Sequence, residues 1–137
     1  MIQRIQTVYL FLAALAAIAF LFIPFGSVLD QNTIVLLKGN MHPILQGLVG
    51  AIAGIALIAI FLFKNRKNQA LLVLLDIIIS LGFFAFVCFG AYMHHQKDTF
   101  HFGVGFILPI FTLVFNFLAY KSIKADDALV KSMDRLR

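Results

Sequence analysis

Four runs of about twenty apolar residues, separated by short polar connections, constrain this chain more than any other feature. They fall at about 5–25, 44–63, 70–93 and 100–120. A hydrocarbon core of about 30 Å is crossed by about 20 helical residues at 1.5 Å each. Backbone N–H and C=O groups cannot face lipid unpaired, so each run reads as a helix. Composition agrees. The chain is 62% hydrophobic and 12% charged, whereas a soluble domain carries about 25% charged residues. Too few polar side chains remain to clothe a surface in water. The expectation is one integral membrane domain over residues 1–137, with the lipid bilayer as solvent.

Short connections force neighbouring helices to be antiparallel and in contact. The fold class is therefore all-α, a four-helix transmembrane bundle running up-down-up-down. Pro43 stands at the first turn of the second run, where its missing N–H costs least. Pro109 inside the fourth run predicts a kink, with Gly103 and Gly105 loosening the turn before it. The first run is longer than the apolar stretch of a signal peptide. Pro24 and Phe25 also occupy positions a cleavage site would need small, so it reads as an uncleaved helix.

Orientation follows from Lys and Arg. Arg4, Lys64, Arg66, Lys67, Lys121, Lys124, Lys131, Arg135 and Arg137 lie on one side, nine in all, and Lys38 and Lys97 on the other. This predicts a multi-pass membrane protein with both termini cytoplasmic. The outer loop after Gly26 has two β-prone stretches around Asp30-Gln31-Asn32, which predicts a short β-hairpin-like loop. In the cytoplasmic tail, 121–137, Asp126 or Asp127 can cap a fresh helix. Leu129, Val130, Met133 and Leu136 then make one apolar stripe flanked by cations, a C-terminal amphipathic helix suited to an anionic lipid surface or a partner's groove.

The chain opens Met1-Ile2-Gln3-Arg4-Ile5-Gln6-Thr7-Val8-Tyr9-Leu10 and closes Asp127-Ala128-Leu129-Val130-Lys131-Ser132-Met133-Asp134-Arg135-Leu136-Arg137. With four spans and this length, it resembles an uncharacterised family of small four-span membrane proteins, a domain of unknown function, from Bacteroidetes bacteria. The resemblance implies a helical bundle in a bacterial inner membrane. It carries over no activity and no catalytic residue.

Polar residues inside apolar runs are the candidates for chemistry. Asp76 and Ser80 are one turn apart in the third run, Thr112 and Asn116 one turn apart in the fourth. A charge at that depth costs about 2.5–3.5 kcal/mol on insertion scales. An intramembrane contact of Asp76 with Asn116 or Arg4 is expected, and a small transporter or channel subunit using Asp76 and Asn116 is the alternative. Leu81, Phe83, Phe84, Phe86, Val87 and Phe89 make the outer half of that run dry, which argues against transport. His42, His94, His95 and His101 fall at outward span ends, beside Met41 and Met93. They admit a metal-binding bundle as a second alternative, although adjacent His94 and His95 point to different faces. Gly47, Gly50 and Gly54 form small-residue pairs for helix packing, within the bundle or against a second helix.

Several classes are excluded. The lone Cys88 rules out an intramolecular disulfide and a multi-cysteine metal site. No basic stripe interleaved with aromatics suggests nucleic acid. Without a nucleophile–base pair, a phosphate-cradling loop or a carboxylate pair, neither an enzyme nor a cofactor is expected. The expected role is an accessory or scaffold subunit of a larger membrane assembly. It would use a cytoplasmic basic patch of Arg4, Lys64, Arg66, Lys67, Lys131, Arg135 and Arg137, with a membrane-protein partner or self-association.

Overall fold

The apolar runs fold as four helices in a computed structural model that describes residues 2–30, 33–62, 65–95 and 100–134; the side chains of residues 2–4, 30, 94, 95 and 134 lie outside that description. Helix α1 spans Ile2–Phe22, α2 Pro43–Phe61, α3 Arg66–His95 and α4 Leu108–Asp134. All four are long and apolar enough to cross a membrane. Strands β1 (Gly26–Asp30), β2 (Thr33–Leu37) and β3 (Phe100–Phe102) form a small sheet ordered β2-β1-β3.

The helices close into a ring in which α1 and α3 each pack on both α2 and α4. Hydrogen bonds fix the two poles. At one, the side-chain amide of Gln6 donates to the Ser122 carbonyl at 3.1 Å and that of Gln69 to the Ala59 carbonyl at 3.0 Å. This joins the start of α1 to α4, and the start of α3 to the end of α2, as an up-down-up-down path requires. Asn65 opens α3: its side-chain oxygen accepts from the Asn68 N–H at 3.5 Å, satisfying one of the donors a helix start leaves free.

The expected hairpin is present, β1 pairing antiparallel with β2 from Gly26↔Leu37 to Asp30↔Thr33. The fourth span differs from expectation at both ends. Phe100, His101 and Phe102 do not begin a helix but pair with Val28, Ser27 and Gly26 as β3. A 3₁₀ turn, Val104–Ile107, follows, and α4 starts only at Leu108. Pro109 is thus the second residue of the helix, in its first turn, where its missing N–H breaks no intrahelical bond, so it opens the helix and does not interrupt it. Nor do Gly103 and Gly105 make a loose hinge. Their N–H groups donate to the carbonyls of Phe25 (2.9 Å) and Pro24 (3.0 Å). A Cβ on Gly103 would stand 2.6 Å from the Pro24 oxygen, and one on Gly105 2.7 Å from the Ile23 oxygen. Glycine is needed here for close backbone approach.

At the other end α4 does not stop for a new helix capped by Asp126 or Asp127. The amphipathic segment is helical, but as the continuation of one 27-residue helix. Asp126 faces α3, its backbone and side-chain oxygens each 3.3 Å from Arg66 Nη1, and so is not free to cap.

The core has two apolar clusters. The one near the sheet gathers Ala17, Phe20, Phe25, Leu45, Val49, Ile52, Phe83 and Val87. Phe20 is its centre, stacked on Phe25 with centroids 5.2 Å apart and edge-on to Phe83 at 5.0 Å. The second, at the Gln6–Ser122 pole, gathers Leu10, Ala59, Val73, Ala119 and Ile123. Around both, side chains such as Phe11, Leu15, Ile78, Leu81 and Phe117 face outward and exposed, an apolar belt that water would not tolerate.

Candidate functional site

Between the two clusters lies a polar layer. The inward stripe of α3 reads Val73, Asp76, Ser80, Phe83, Val87, and that of α4 reads Pro109, Thr112, Asn116, Ala119, Ile123, all buried. The helical period therefore brings Asp76, Ser80, Thr112 and Asn116 to one level, each with no exposed surface. Asn116 Nδ2 donates to Ser80 Oγ at 3.1 Å, tying α4 to α3. Thr112 instead donates to the Leu108 carbonyl within its own helix at 3.1 Å.

Asp76 adjoins the Asn116 amide. Even so, both of its carboxylate oxygens and Asn116 Oδ1 find no well-formed hydrogen bond among the described residues. Three buried acceptor oxygens without a well-formed hydrogen bond thus meet at one level, beside the Asn116 amide. The Arg4 side chain, the other expected partner, lies outside the described residues. Towards the sheet the stripes continue as Phe83, Val87 and Ala91 on one side and Pro109 and Gly105 on the other, so the polar layer does not extend into a path among the described residues.

Two buried amides that span-level reasoning passed over, Gln6 and Gln69, lock the opposite pole through the carbonyl contacts described above. Each sits within one turn of a span's start, where a polar residue resembles a boundary marker. Their signal is spacing: Gln6 precedes buried Leu10 by four residues, and Gln69 precedes buried Val73 by four, so both share the inward stripe.

That pole also carries the basic residues. Arg66 is half-buried and paired with Asp126 at 3.3 Å, while exposed Lys131 pairs with Asp127 at 2.6 Å along one helix face. The Lys131 ammonium holds the Asp127 carboxyl below its ordinary range. Lys67, Lys121 and Lys124 are exposed, and Lys124 lies over the Tyr120 ring, 5.2 Å from its centroid. The patch is therefore partly neutralised within the chain. Its remaining members, Lys64, Arg135 and Arg137, lie outside the described residues.

Gly47, Gly50 and Gly54 do not pack within the bundle. A Cβ at any of them would meet nothing within 4 Å. The inward face of α2 is instead Leu45, Val49, Ile52, Ala56 and Ala59, and the glycines lie on other faces. Of the histidines, His42 precedes α2 and His101 sits in β3, both exposed. The side chains of His94 and His95 are outside the description. No group of three metal-ligating residues occurs among the described residues.

Over residues 2–136 the sequence matches a family described as a domain of unknown function, DUF4293, in keeping with the resemblance drawn from its two ends. Neither the curated proteins nor the solved structures contain a match.

Proposed function

We propose that this chain, which belongs to the DUF4293 family, is a multi-pass protein of the bacterial cytoplasmic membrane. It serves as an accessory or scaffold subunit of a larger membrane assembly, with its basic pole in the cytoplasm. One observation carries the reading. Helix α4 has 27 residues, a length of about 40 Å against a hydrocarbon core of about 30 Å. Its last turns therefore leave the bundle. From Ala128 to Met133 every residue is exposed, including Leu129, Val130 and Met133. Because this segment continues a spanning helix, it points away from the bilayer and does not lie flat on it. An apolar stripe held in water beside Lys131 suits the groove of a partner protein.

The open glycine face of α2 supports the same role, since small residues let a second helix approach closely within lipid. The docking test is truncation after Asp127 in the full-length background. The shortened protein should still insert, because Gln6, Gln69 and Arg66 keep their partners, but should lose the assembly that the intact protein co-purifies in mild detergent. Recovery of the same complex by the truncated form would end this reading. Single Leu129→Glu and Met133→Glu variants should weaken recovery without altering insertion.

A further inference from the structure

The seam between α3 and α4 carries two hollows on one face. Nearest the basic pole, a cavity of about 250 Å³ is rimmed by Arg66, Lys67 and Lys124 and floored by Ala70, Leu71, Leu74 and Ile123. Further along the seam, a hollow of about 410 Å³ opens between Ile77, Leu81, Leu113, Val114, Phe117 and Leu118. Lys67, Leu71, Leu74, Ile77 and Leu81 fall three or four residues apart on α3, as do Lys124, Tyr120, Phe117 and Leu113 on α4. The two hollows are therefore consecutive lengths of one groove, cationic at its mouth and wholly apolar beyond it.

The charges at the mouth do not cancel. Among the described residues Asp127 is the one acid lining it, and its carboxylate is bonded to Lys131. Arg66 is paired with Asp126, which leaves Lys67 and Lys124 exposed and in no ion pair among the described residues. Depth matters equally. Lys67 to Leu81 is 14 residues, or about 21 Å of helix. One leaflet offers about 15 Å of hydrocarbon plus several Å of headgroup zone. The groove therefore matches one lipid molecule in length, with phosphate chemistry at one end and hydrocarbon along the rest. Basic pockets between spanning helices on the cytoplasmic side suit anionic headgroups.

We propose that this seam binds one anionic phospholipid of the cytoplasmic leaflet, its phosphate on Lys67 and Lys124 and one acyl chain along Ile77, Leu113 and Phe117. The site rests on the membrane-spanning reading and on the basic pole facing inward. It does not rest on docking by the end of α4.

The test uses full-length protein in detergent, titrated with phosphatidylglycerol or phosphatidylcholine and read as lipid-bound species by native mass spectrometry. Phosphatidylglycerol should be retained about tenfold or more over phosphatidylcholine. The double variant Lys67→Gln/Lys124→Gln, at two exposed positions, should bring that ratio near one while its melting temperature stays that of the parent. Leu113→Trp should fill the apolar hollow and reduce retention of both lipids alike. Glycerol phosphate, which shares the headgroup charge but has no chain, should not displace the bound lipid. Equal retention of the two lipids by the parent, an unchanged ratio in the double variant, or displacement by glycerol phosphate would each overturn the proposal. Truncation after Asp127 leaves the seam whole, so loss of partner docking and loss of lipid preference are read separately.

Discussion

Asp76 is the residue whose surroundings fit it least. A buried acceptor that makes no well-formed hydrogen bond costs about 1–3 kcal/mol, and here three such oxygens, two on Asp76 and one on Asn116, share a layer flanked by apolar clusters. Replacing Asp76 with Asn keeps the shape and adds a donor that can face Asn116 Oδ1. We expect Asp76→Asn to insert normally and to gain about 1 kcal/mol of unfolding free energy, measured by denaturant titration in micelles. Asp76→Leu should show no such gain, because it leaves Asn116 Oδ1 unpartnered and crowds the layer. A loss of more than about 1 kcal/mol in Asp76→Asn would mean that the carboxylate has a strong donor, with Arg4 the nearest candidate by sequence logic. Asn116→Leu removes the bond to Ser80 and should cost about 1 kcal/mol or more.

At the level of elements, the glycines divide into two kinds that sequence alone does not separate. Gly105 lies against the Ile23 and Pro24 carbonyls, while Gly50 faces open space. Gly105→Ala should cost about 1–3 kcal/mol, because backbone atoms cannot step aside. Gly50→Ala should stabilise the isolated bundle by up to about 1 kcal/mol through helix propensity. A loss at Gly50 would instead place a second helix on that face, and cross-linking at this position would then report self-association. The same contrast explains what could be read beforehand. Helices α1, α2 and α3 were legible because twenty apolar residues in lipid have one economical conformation. The polar layer was legible because Asp76 and Ser80, like Thr112 and Asn116, are one turn apart. The start of α4 was not. Phe100-His101-Phe102 reads as equally apolar in a strand or a helix, and its pairing with Gly26–Val28 joins segments more than seventy residues apart. Asp126 is ambiguous in the sequence for a related reason: an N-cap and an ion-pair acceptor look the same until Arg66 is seen beside it.

For the whole molecule, the two poles differ in chemistry as well as in charge. One is closed by a three-stranded sheet and the aromatic cluster around Phe20. The other is locked by amides and ion pairs and, among the described residues, carries Arg66, Lys67, Lys121, Lys124 and Lys131. Cations are retained on the cytoplasmic side during insertion, so the sheet pole should face outward. Thiol labelling checks this directly, because Cys88 is the only cysteine and can be replaced by Ser as background. Asn40 and Ser132 are exposed at opposite poles. In intact cells a membrane-impermeant maleimide, admitted through the outer envelope only, should modify Asn40→Cys within minutes and leave Ser132→Cys untouched until the inner membrane is opened. The reverse pattern would invert the molecule in the bilayer, and the lysine-rimmed seam and the end of α4 would then lie on the wrong side for anionic cytoplasmic lipid and for a cytoplasmic partner alike. Labelling of both sites in intact cells would mean that the four apolar helices do not seal across the membrane, and the bundle would need a different home.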